Sequence, residues 1–285
     1  MVMCRMSALA ATALAFSLAG AAPVAAFPFG GKSKEGVQAP AAPEAPVAAP
    51  DAIQKATGQE RALATGLDPL SRAAFWAREV NIDPTDIEAG LGLARALRGL
   101  GQTEEAAASV QRLAVLAPDN VEVLLELARA QLARGEGFYG VAPALQAQTL
   151  APGDWRAPFL LAMAYEQAQR DTEALAAHRR AVQLAPNNPA VLSNLAMFQA
   201  ARGQAAEAEA LLRQAAALPG ATAVIRQNLA LILGLQGRIG EAEALARQDL
   251  PPQLVANNLA YLRSASQTAA TGGSGRSWES VGSVQ

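Results

Sequence analysis

The sequence predicts an all-α protein, a superhelical solenoid of stacked helical hairpins. Two observations lead to this prediction. A Leu-Ala pair recurs every 34 residues, and the composition is 51% apolar but only 5% aromatic, with alanine the dominant residue. Alanine favours helices, and its small side chain lets two helices approach closely. A fixed period of this length is typical of repeat proteins, in which each hairpin buries its apolar face against the next.

The spacing defines five consecutive repeats. The Leu-Ala pairs begin at Leu93, Leu127, Leu161, Leu195 and Leu229, and we expect these leucines to be buried. A glycine, or Gln169 in the third repeat, follows each pair at a fixed distance and turns the chain between two helices. Leu-Ala-Pro closes the first three repeats, because proline cannot continue a helix. The predicted repeats span residues 87–120, 121–154, 155–188, 189–222 and 223–256.

Flanking helices are expected at both ends of the array. Asp83-Pro84 stands one period before the Pro118 that closes the first repeat, so residues 70–82 are predicted to be the second helix of a degenerate leading unit. After two consecutive prolines, residues 253–266 are predicted to form a capping helix that covers the last apolar face. The solenoid domain is therefore predicted to span residues 51–266 and to contain about 12 to 14 helices.

Residues 1–26 have the pattern of a secretory signal peptide. No charged residue occurs from Met6 to Gly31, and small residues precede the peptide bond between Ala26 and Phe27, where we expect cleavage. An uncleaved membrane anchor is the alternative. Cys4 lies before the apolar stretch, so no cysteine follows it that could carry a lipid. We expect an exported, periplasmic protein that associates with the outer membrane only through its partners.

Two further segments are expected to lie outside the folded domain. Residues 27–50 are rich in proline and alanine and predict an extended linker. Residues 267–285 are rich in glycine, serine and threonine and predict a disordered tail. Trp278 is isolated in this tail, where it could anchor a partner, fold back into the array's own groove, or be an exposed side chain without a role.

The composition argues against catalysis and against nucleic-acid binding. The net charge is −2 and no long basic run occurs, which does not suit a nucleic-acid partner. One cysteine and one histidine exclude zinc sites built from these residues, and no phosphate-binding loop is present. The single histidine, His178, lies at an inner helical position where we expect packing rather than chemistry. We therefore expect a non-catalytic protein without a metal or cofactor.

The first helices of such hairpins line the concave face of the solenoid, where partners usually bind. The residues that we expect there are Glu88, Arg95, Arg98, Glu122, Glu126, Arg129, Arg156, Phe159, Met163, Glu166, Asn194, Met197, Gln227 and Asn228. Arg95 and Arg129, together with Arg156, could hold a carboxylate or an acidic peptide. The alternative is pairing of these arginines with glutamates of the chain on a solvated face. The asparagines could bond the backbone of an extended peptide, or have an ordinary structural role.

Two adjacent aromatic residues interrupt the turn of the second repeat. Phe138 and Tyr139 stand where the other repeats have polar turn residues. They predict either a docking knob for a partner or a locally repacked hairpin.

The repeat matches the pattern of the tetratricopeptide repeat (TPR), a 34-residue helical hairpin. Beyond the generic repeat, the chain resembles the TadD family, the TPR component of the Tad (Flp) pilus assembly and secretion apparatus. The resemblance covers residues 70–263, and the run 226–238 is its most specific part. Its other segments are 72–79, Asp83-Pro84, 137–139, 194–196, 218–221, 249–252 and 258–262.

The resemblance implies a periplasmic scaffold that assists assembly or localisation of the outer-membrane secretin of this apparatus. Its partners would be the Tad secretin or other Tad pilus assembly components. The alternative from another functional class is an exported TPR regulator of a different envelope complex, such as a cell-wall enzyme.

Overall fold

The computed structural model describes residues 54–270, with side chains placed for residues 54–264. Within this part the chain forms thirteen α-helices and no strand, which confirms the predicted all-α repeat solenoid. The helices are α1 (Gly58–Ala64), α2 (Pro69–Ile82), α3 (Ile87–Gly99), α4 (Thr103–Leu116), α5 (Val121–Ala133), α6 (Gly137–Leu150), α7 (Arg156–Gln167), α8 (Asp171–Leu184), α9 (Pro189–Ala201), α10 (Ala205–Ala217), α11 (Ala223–Leu235), α12 (Ile239–Ala246) and α13 (Pro252–Ala270). The predicted signal peptide 1–26, the linker 27–50 and Trp278 lie outside the described residues.

Helices α3 to α12 form five hairpins, one in each predicted repeat. The second helices of these hairpins begin 34 residues apart, at Thr103, Gly137, Asp171, Ala205 and Ile239. From α2 onward each helix packs against the helix that follows it in the chain. We call α3, α5, α7, α9 and α11 the first helices, and the surface that they share the first-helix face.

Short polar side chains start several first helices. The Asp86 carboxylate accepts a hydrogen bond from the Ala89 amide at 3.0 Å at the start of α3. Asn120 and Asn188 accept bonds from the first amides of α5 and α9 in the same way. These amides have no partner within the helix, so the side-chain oxygens stabilise the point at which each helix begins.

Each hairpin turns through one residue in the left-handed conformation. Four of these residues are glycines with φ between +75° and +82°, namely Gly101, Gly135, Gly203 and Gly237. The fifth is Gln169, with φ +56°, between α7 and α8. A side chain at a left-handed residue costs roughly 1–2 kcal/mol, so this hairpin carries strain that the other four avoid.

Small residues allow the helices to approach one another. The alanines of the five Leu-Ala pairs are all buried, namely Ala94, Ala128, Ala162, Ala196 and Ala230. Leu161, Leu195 and Leu229 are buried as predicted. The prediction is wrong for Leu93 and Leu127, which are half-buried because they pack at the margins of their apolar clusters.

Ion pairs attach the leading helices to the array. Arg61 in α1 contacts the buried Glu79 of α2 at 3.0 Å and Asp86, which precedes α3, at 2.7 Å. Lys55 lies 2.5 Å from Asp83, and this hydrogen bond raises the pKa of the lysine. Charged groups therefore join α1, α2 and the start of the first full repeat.

The capping helix is longer than predicted. Helix α13 continues to Ala270, four residues into the predicted disordered tail, because the sequence has no glycine or proline between residues 253 and 271. Its buried side chains Val255, Leu259 and Leu262 cover the end of the array. None of the helices in the described part is both long enough and apolar enough to cross a membrane.

Candidate functional site

One row of side chains on the first-helix face changes character along the array. The row has one member from each first helix, 34 residues apart: Arg95, Arg129, Met163, Met197 and Leu231. Its members are at least partly exposed to solvent. The face is therefore charged near the start of the array and apolar near its end.

A buried glutamate organises the charged end. Glu126 in α5 is 1% exposed, and Arg98 of α3 donates to its carboxylate at 2.9 Å. Arg95 and Arg129 each approach the other carboxylate oxygen at 3.4 Å. We call these four residues the arginine–glutamate cluster. Such charge-assisted bonds to a buried carboxylate are among the stronger polar interactions in proteins.

Arg156 is paired in the same manner. It lies 2.6 Å from Asp154 and 2.7 Å from Glu122, and Glu122 also contacts Arg95 at 3.2 Å. The hydrogen bond from Arg156 lowers the pKa of Asp154. Of the two arrangements considered for these arginines, the structure shows pairing with carboxylates of the chain itself. A partner's carboxylate would have to displace Glu122 or Glu126.

The apolar half of the face contains an open groove. A cavity of about 290 Å³ lies between α7 and α9, and we call it the α7–α9 groove. The residues that line it are Met163, Glu166, Gln167, Asn194, Met197 and Phe198. Four of these residues were predicted from the sequence to lie on the binding face, and the structure brings them together here: Met163, Glu166, Asn194 and Met197.

Two bulky side chains explain why the groove is open. The first three repeats have an alanine at one equivalent position, namely Ala96, Ala130 and Ala164. The fourth repeat has Phe198 there. The Phe198 ring packs against the imidazole of His178 with their centroids 5.0 Å apart, and both side chains are buried. Helices α7 and α9 approach each other less closely than the other neighbouring first helices do. Large side chains therefore hold apart two helices that small ones would bring together.

His178 also fixes the position of Glu166. Its Nε2 lies 2.5 Å from Oε1 of Glu166, while its Nδ1 is buried without a partner. An ionised carboxylate can only accept hydrogen bonds, so we place the proton on Nε2, which donates to Glu166. The sequence predicted that His178 packs in the interior, but it did not predict this bond.

Two polar groups of the groove have no partner within residues 54–264. The second carboxylate oxygen of Glu166 and the side-chain amide of Asn194 make no hydrogen bond to the described residues. In contrast, Asn228, one repeat after Asn194, donates to Ser193 at 3.3 Å. Glu166 is 35% exposed, so its free oxygen is open to a ligand as well as to water.

The remaining predicted residues lie apart from the groove. Phe159 packs against Trp155 with their rings 5.6 Å apart and is half-buried. Phe138 and Tyr139 are 69% and 63% exposed at the start of α6, with their rings edge-to-face at 5.5 Å. Helix α6 begins at the same place in its repeat as the other second helices, so these two rings project from a regular hairpin.

Sequence reasoning missed Gln167 and Phe198 as groove residues. A signal for Phe198 was present, since a phenylalanine replaces an alanine that three successive repeats have at that position. Gln167 ends α7 and donates to the Leu132 carbonyl at 3.1 Å, and no feature of its repeat position marks it.

The fold defines the class as an all-α helical-repeat protein. Family models of the tetratricopeptide repeat match residues 156–188 and 222–250, which fall in the third repeat and largely in the fifth. These two repeats therefore match the tetratricopeptide repeat, as their spacing predicted. Such repeats mediate protein–protein interactions and therefore imply an interaction scaffold.

Three solved structures resemble the array. The thermophilic TPR protein TTC0263 of Thermus thermophilus is 24% identical, with a TM-score of 0.54 over 62% of this chain and 98% of its own. A tetratricopeptide repeat protein from Parabacteroides merdae ATCC 43184 is 14% identical, with a TM-score of 0.60 over 73% and 86% of the two chains. PilF of Pseudomonas aeruginosa is 15% identical, with a TM-score of 0.56 over 72% and 96%.

These likenesses support the fold alone, because the identities are low. No curated protein matches the chain in sequence.

Proposed function

We propose that this chain is an exported, non-catalytic TPR adaptor of Tad (Flp) pilus assembly that assists assembly or localisation of the outer-membrane secretin. The observation that carries the proposal is the resemblance to TadD, whose most specific segment, 226–238, contacts the segment 249–252 in the structure. Arg226, at the start of the run 226–238, donates to Asp249 of the segment 249–252 at 2.9 Å. Gln227 donates to the same carboxylate at 3.2 Å. These two segments thus form one structural unit near the end of the array.

The physical role of such an adaptor is to hold a partner in place rather than to change it. A rigid array that binds one segment of a secretin raises the local concentration of that subunit where assembly occurs. The first-helix face supplies the surface for this binding, and the α7–α9 groove is its open part. The work of the protein is then recognition, which is consistent with the absence of a catalytic motif in the sequence.

Affinity capture tests the identity of the partner. The full chain with a C-terminal tag is expressed in its own cells, and the solubilised envelope fraction is passed over the affinity matrix. We expect recovery of the Tad secretin or of another Tad component. A cell-wall hydrolase or synthase in its place would support the alternative regulator and contradict the pilus proposal.

A matched pair of variants tests the surface. The double variant Met163→Glu and Met197→Glu places two charges in the groove, whereas Val115→Glu and Leu150→Glu places two charges on exposed apolar positions of second helices. In the affinity capture, we expect the groove variant to recover no secretin and the second-helix variant to recover it as the unmodified chain does. In a deletion strain, only the second-helix variant should restore Flp pili. A deletion strain with normal pili would remove the functional proposal altogether.

A further inference from the structure

We propose that the α7–α9 groove binds an extended segment of a partner protein in which an apolar side chain stands next to a lysine or arginine. The inference rests on the proposed function only in that both require a protein partner. It concerns the chemistry of the segment, not the identity of the protein that carries it. Three features of the groove recognise the partner's segment: the apolar lining, the free carboxylate oxygen of Glu166 and the side-chain amide of Asn194.

The apolar lining accepts the uncharged side chain. Met163 and Met197 come from equivalent positions of two neighbouring helices, and Phe198 lies next to Met197. Methionine side chains are flexible and polarizable, so they adapt to the shape of an inserted aliphatic or aromatic group. The cavity of about 290 Å³ provides the space for such a group without separation of the helices.

The free carboxylate oxygen selects the basic neighbour. His178 lies 2.5 Å from one oxygen of Glu166 and so fixes the orientation of this side chain. The second oxygen of Glu166 therefore has a defined position too. The nearby arginines are already engaged. Arg202 pairs with Asp171 and lies over the Phe198 ring at 3.4 Å, and Arg170 pairs with Glu173 at 2.8 Å. Among the residues that line the groove, Glu166 has the one uncompensated charge, and its natural complement is a cation.

The arginine–glutamate cluster shows what the groove lacks. Arg95, Arg98 and Glu126 occupy the same repeat positions as Met163, Glu166 and Asn194, two repeats earlier. In the cluster the chain supplies both the carboxylate and its guanidinium partners. In the groove the described residues supply a carboxylate and no guanidinium for the free oxygen. The structure therefore assigns the missing cation to the partner.

The amide of Asn194 completes the recognition. An extended peptide has unpaired backbone N–H and C=O groups, and an asparagine side chain can satisfy one of each. Because Asn194 makes no hydrogen bond to the described residues, it can bond the peptide without breaking a bond of its own.

Methyl NMR with defined peptides tests this proposal. The full chain is labelled at the methionine methyl groups, and Met163→Leu and Met197→Leu variants assign the two groove signals. The probe is the peptide acetyl-Gly-Ser-Leu-Lys-Ser-Gly-amide. One control peptide has Glu in place of Lys, and the other has Ala in place of Leu. We expect the probe to shift both groove signals, and each control to bind about tenfold more weakly.

The variant Glu166→Gln should reduce the preference for Lys over Glu to less than about threefold. The control variant Glu207→Gln, on an exposed glutamate of α10, should leave the preference unchanged. Equal binding of the Lys and Glu peptides, or no shift of either methionine signal, would overturn the proposal. A preference that survives Glu166→Gln would overturn the role of this carboxylate.

The chain's own tail is a competing source of the same chemistry, since Arg276 and Trp278 lie two residues apart. If the groove signals of Trp278→Ala differ from those of the unmodified chain before any peptide is added, the tail and not a partner occupies the groove. Recovery of a Tad component without peptide selectivity would leave the function standing and this inference wrong. Peptide selectivity without recovery of any Tad component would support this inference and contradict the proposed function.

Discussion

The arginine–glutamate cluster and the α7–α9 groove are built from the same three repeat positions, yet one is filled and the other is open. The positions hold Arg95, Arg98 and Glu126 in the first region, and their equivalents two repeats later in the second. The helices around both are placed by the same 34-residue period. The backbone of the array therefore offers the site several times, and the side chains decide which copy is available for binding.

The two regions also differ in what their polar groups contribute. Glu126 is buried and its charge is compensated by three guanidinium groups, so the cluster links α3 to α5 and loss of the carboxylate leaves these groups without their shared partner. Glu166 and Asn194 are partly exposed, so water satisfies their free atoms in the unbound protein. The cluster therefore acts within the fold, whereas the groove keeps its polar atoms free for another molecule.

The largest expected effect is on the filled region. Glu126→Ala leaves three arginines without their shared carboxylate, and we expect the free energy of unfolding to fall by about 3–4 kcal/mol. The matched variant Asn194→Ala, at the equivalent position, removes no hydrogen bond to the described residues and should cost less than about 0.5 kcal/mol. Urea unfolding followed by circular dichroism measures both. Similar losses in the two variants would show that the regions do not differ in this way.

A somewhat smaller effect is expected where the groove is held open. Phe198→Ala restores the alanine of the earlier repeats, so α7 and α9 can approach each other more closely. This approach partly fills the space left by the ring, and we therefore expect the free energy of unfolding to fall by about 3 kcal/mol, near the lower end for Phe→Ala changes. The groove should close, and the methionine methyl signals should no longer respond to the Leu-Lys peptide. Ile232→Ala, one repeat later, is a buried truncation outside the groove lining and should destabilise the chain while the response remains. A groove that still responds in Phe198→Ala would contradict the role given to this ring.

The smallest effect concerns the turn that follows α7. Gln169 is left-handed, and replacement by glycine removes its conformational cost but adds backbone freedom to the unfolded chain. We expect Gln169→Gly to raise the free energy of unfolding by about 0.5 kcal/mol, and the reverse change Gly203→Gln to lower it by about 1 kcal/mol. Thermal unfolding of the two variants beside the parent chain measures the difference. A destabilised Gln169→Gly would mean that the glutamine side chain makes a contribution that its backbone geometry does not show.

The period of the sequence was enough to predict the fold, because each hairpin repeats the same local signals. The alanine, the turn residue and the closing proline recur at fixed distances, and local signals of this kind determine where helices begin and end. The period also placed Met163, Glu166 and Asn194 on one face. It could not predict whether Glu126 would pair with arginines or leave them free, since that depends on side-chain distances across two helices. The sequence did not predict the last turn of the capping helix, because residues 267–285 as a whole are rich in glycine, serine and threonine, although residues 267–270 contain no helix breaker.

The ion pair of Lys55 with Asp83 has a practical consequence for labelling and crosslinking. No lysine follows Lys55 in the sequence, so the whole array after α1 has no side-chain amine. Lys55 itself is less reactive, because its raised pKa keeps the ammonium protonated. Amine-reactive reagents therefore couple at side chains mainly through Lys32 and Lys34, and immobilisation by this chemistry leaves the first-helix face unmodified. The same reagents cannot crosslink a partner at the groove, where a carboxyl-directed reagent aimed at Glu166 is the suitable choice.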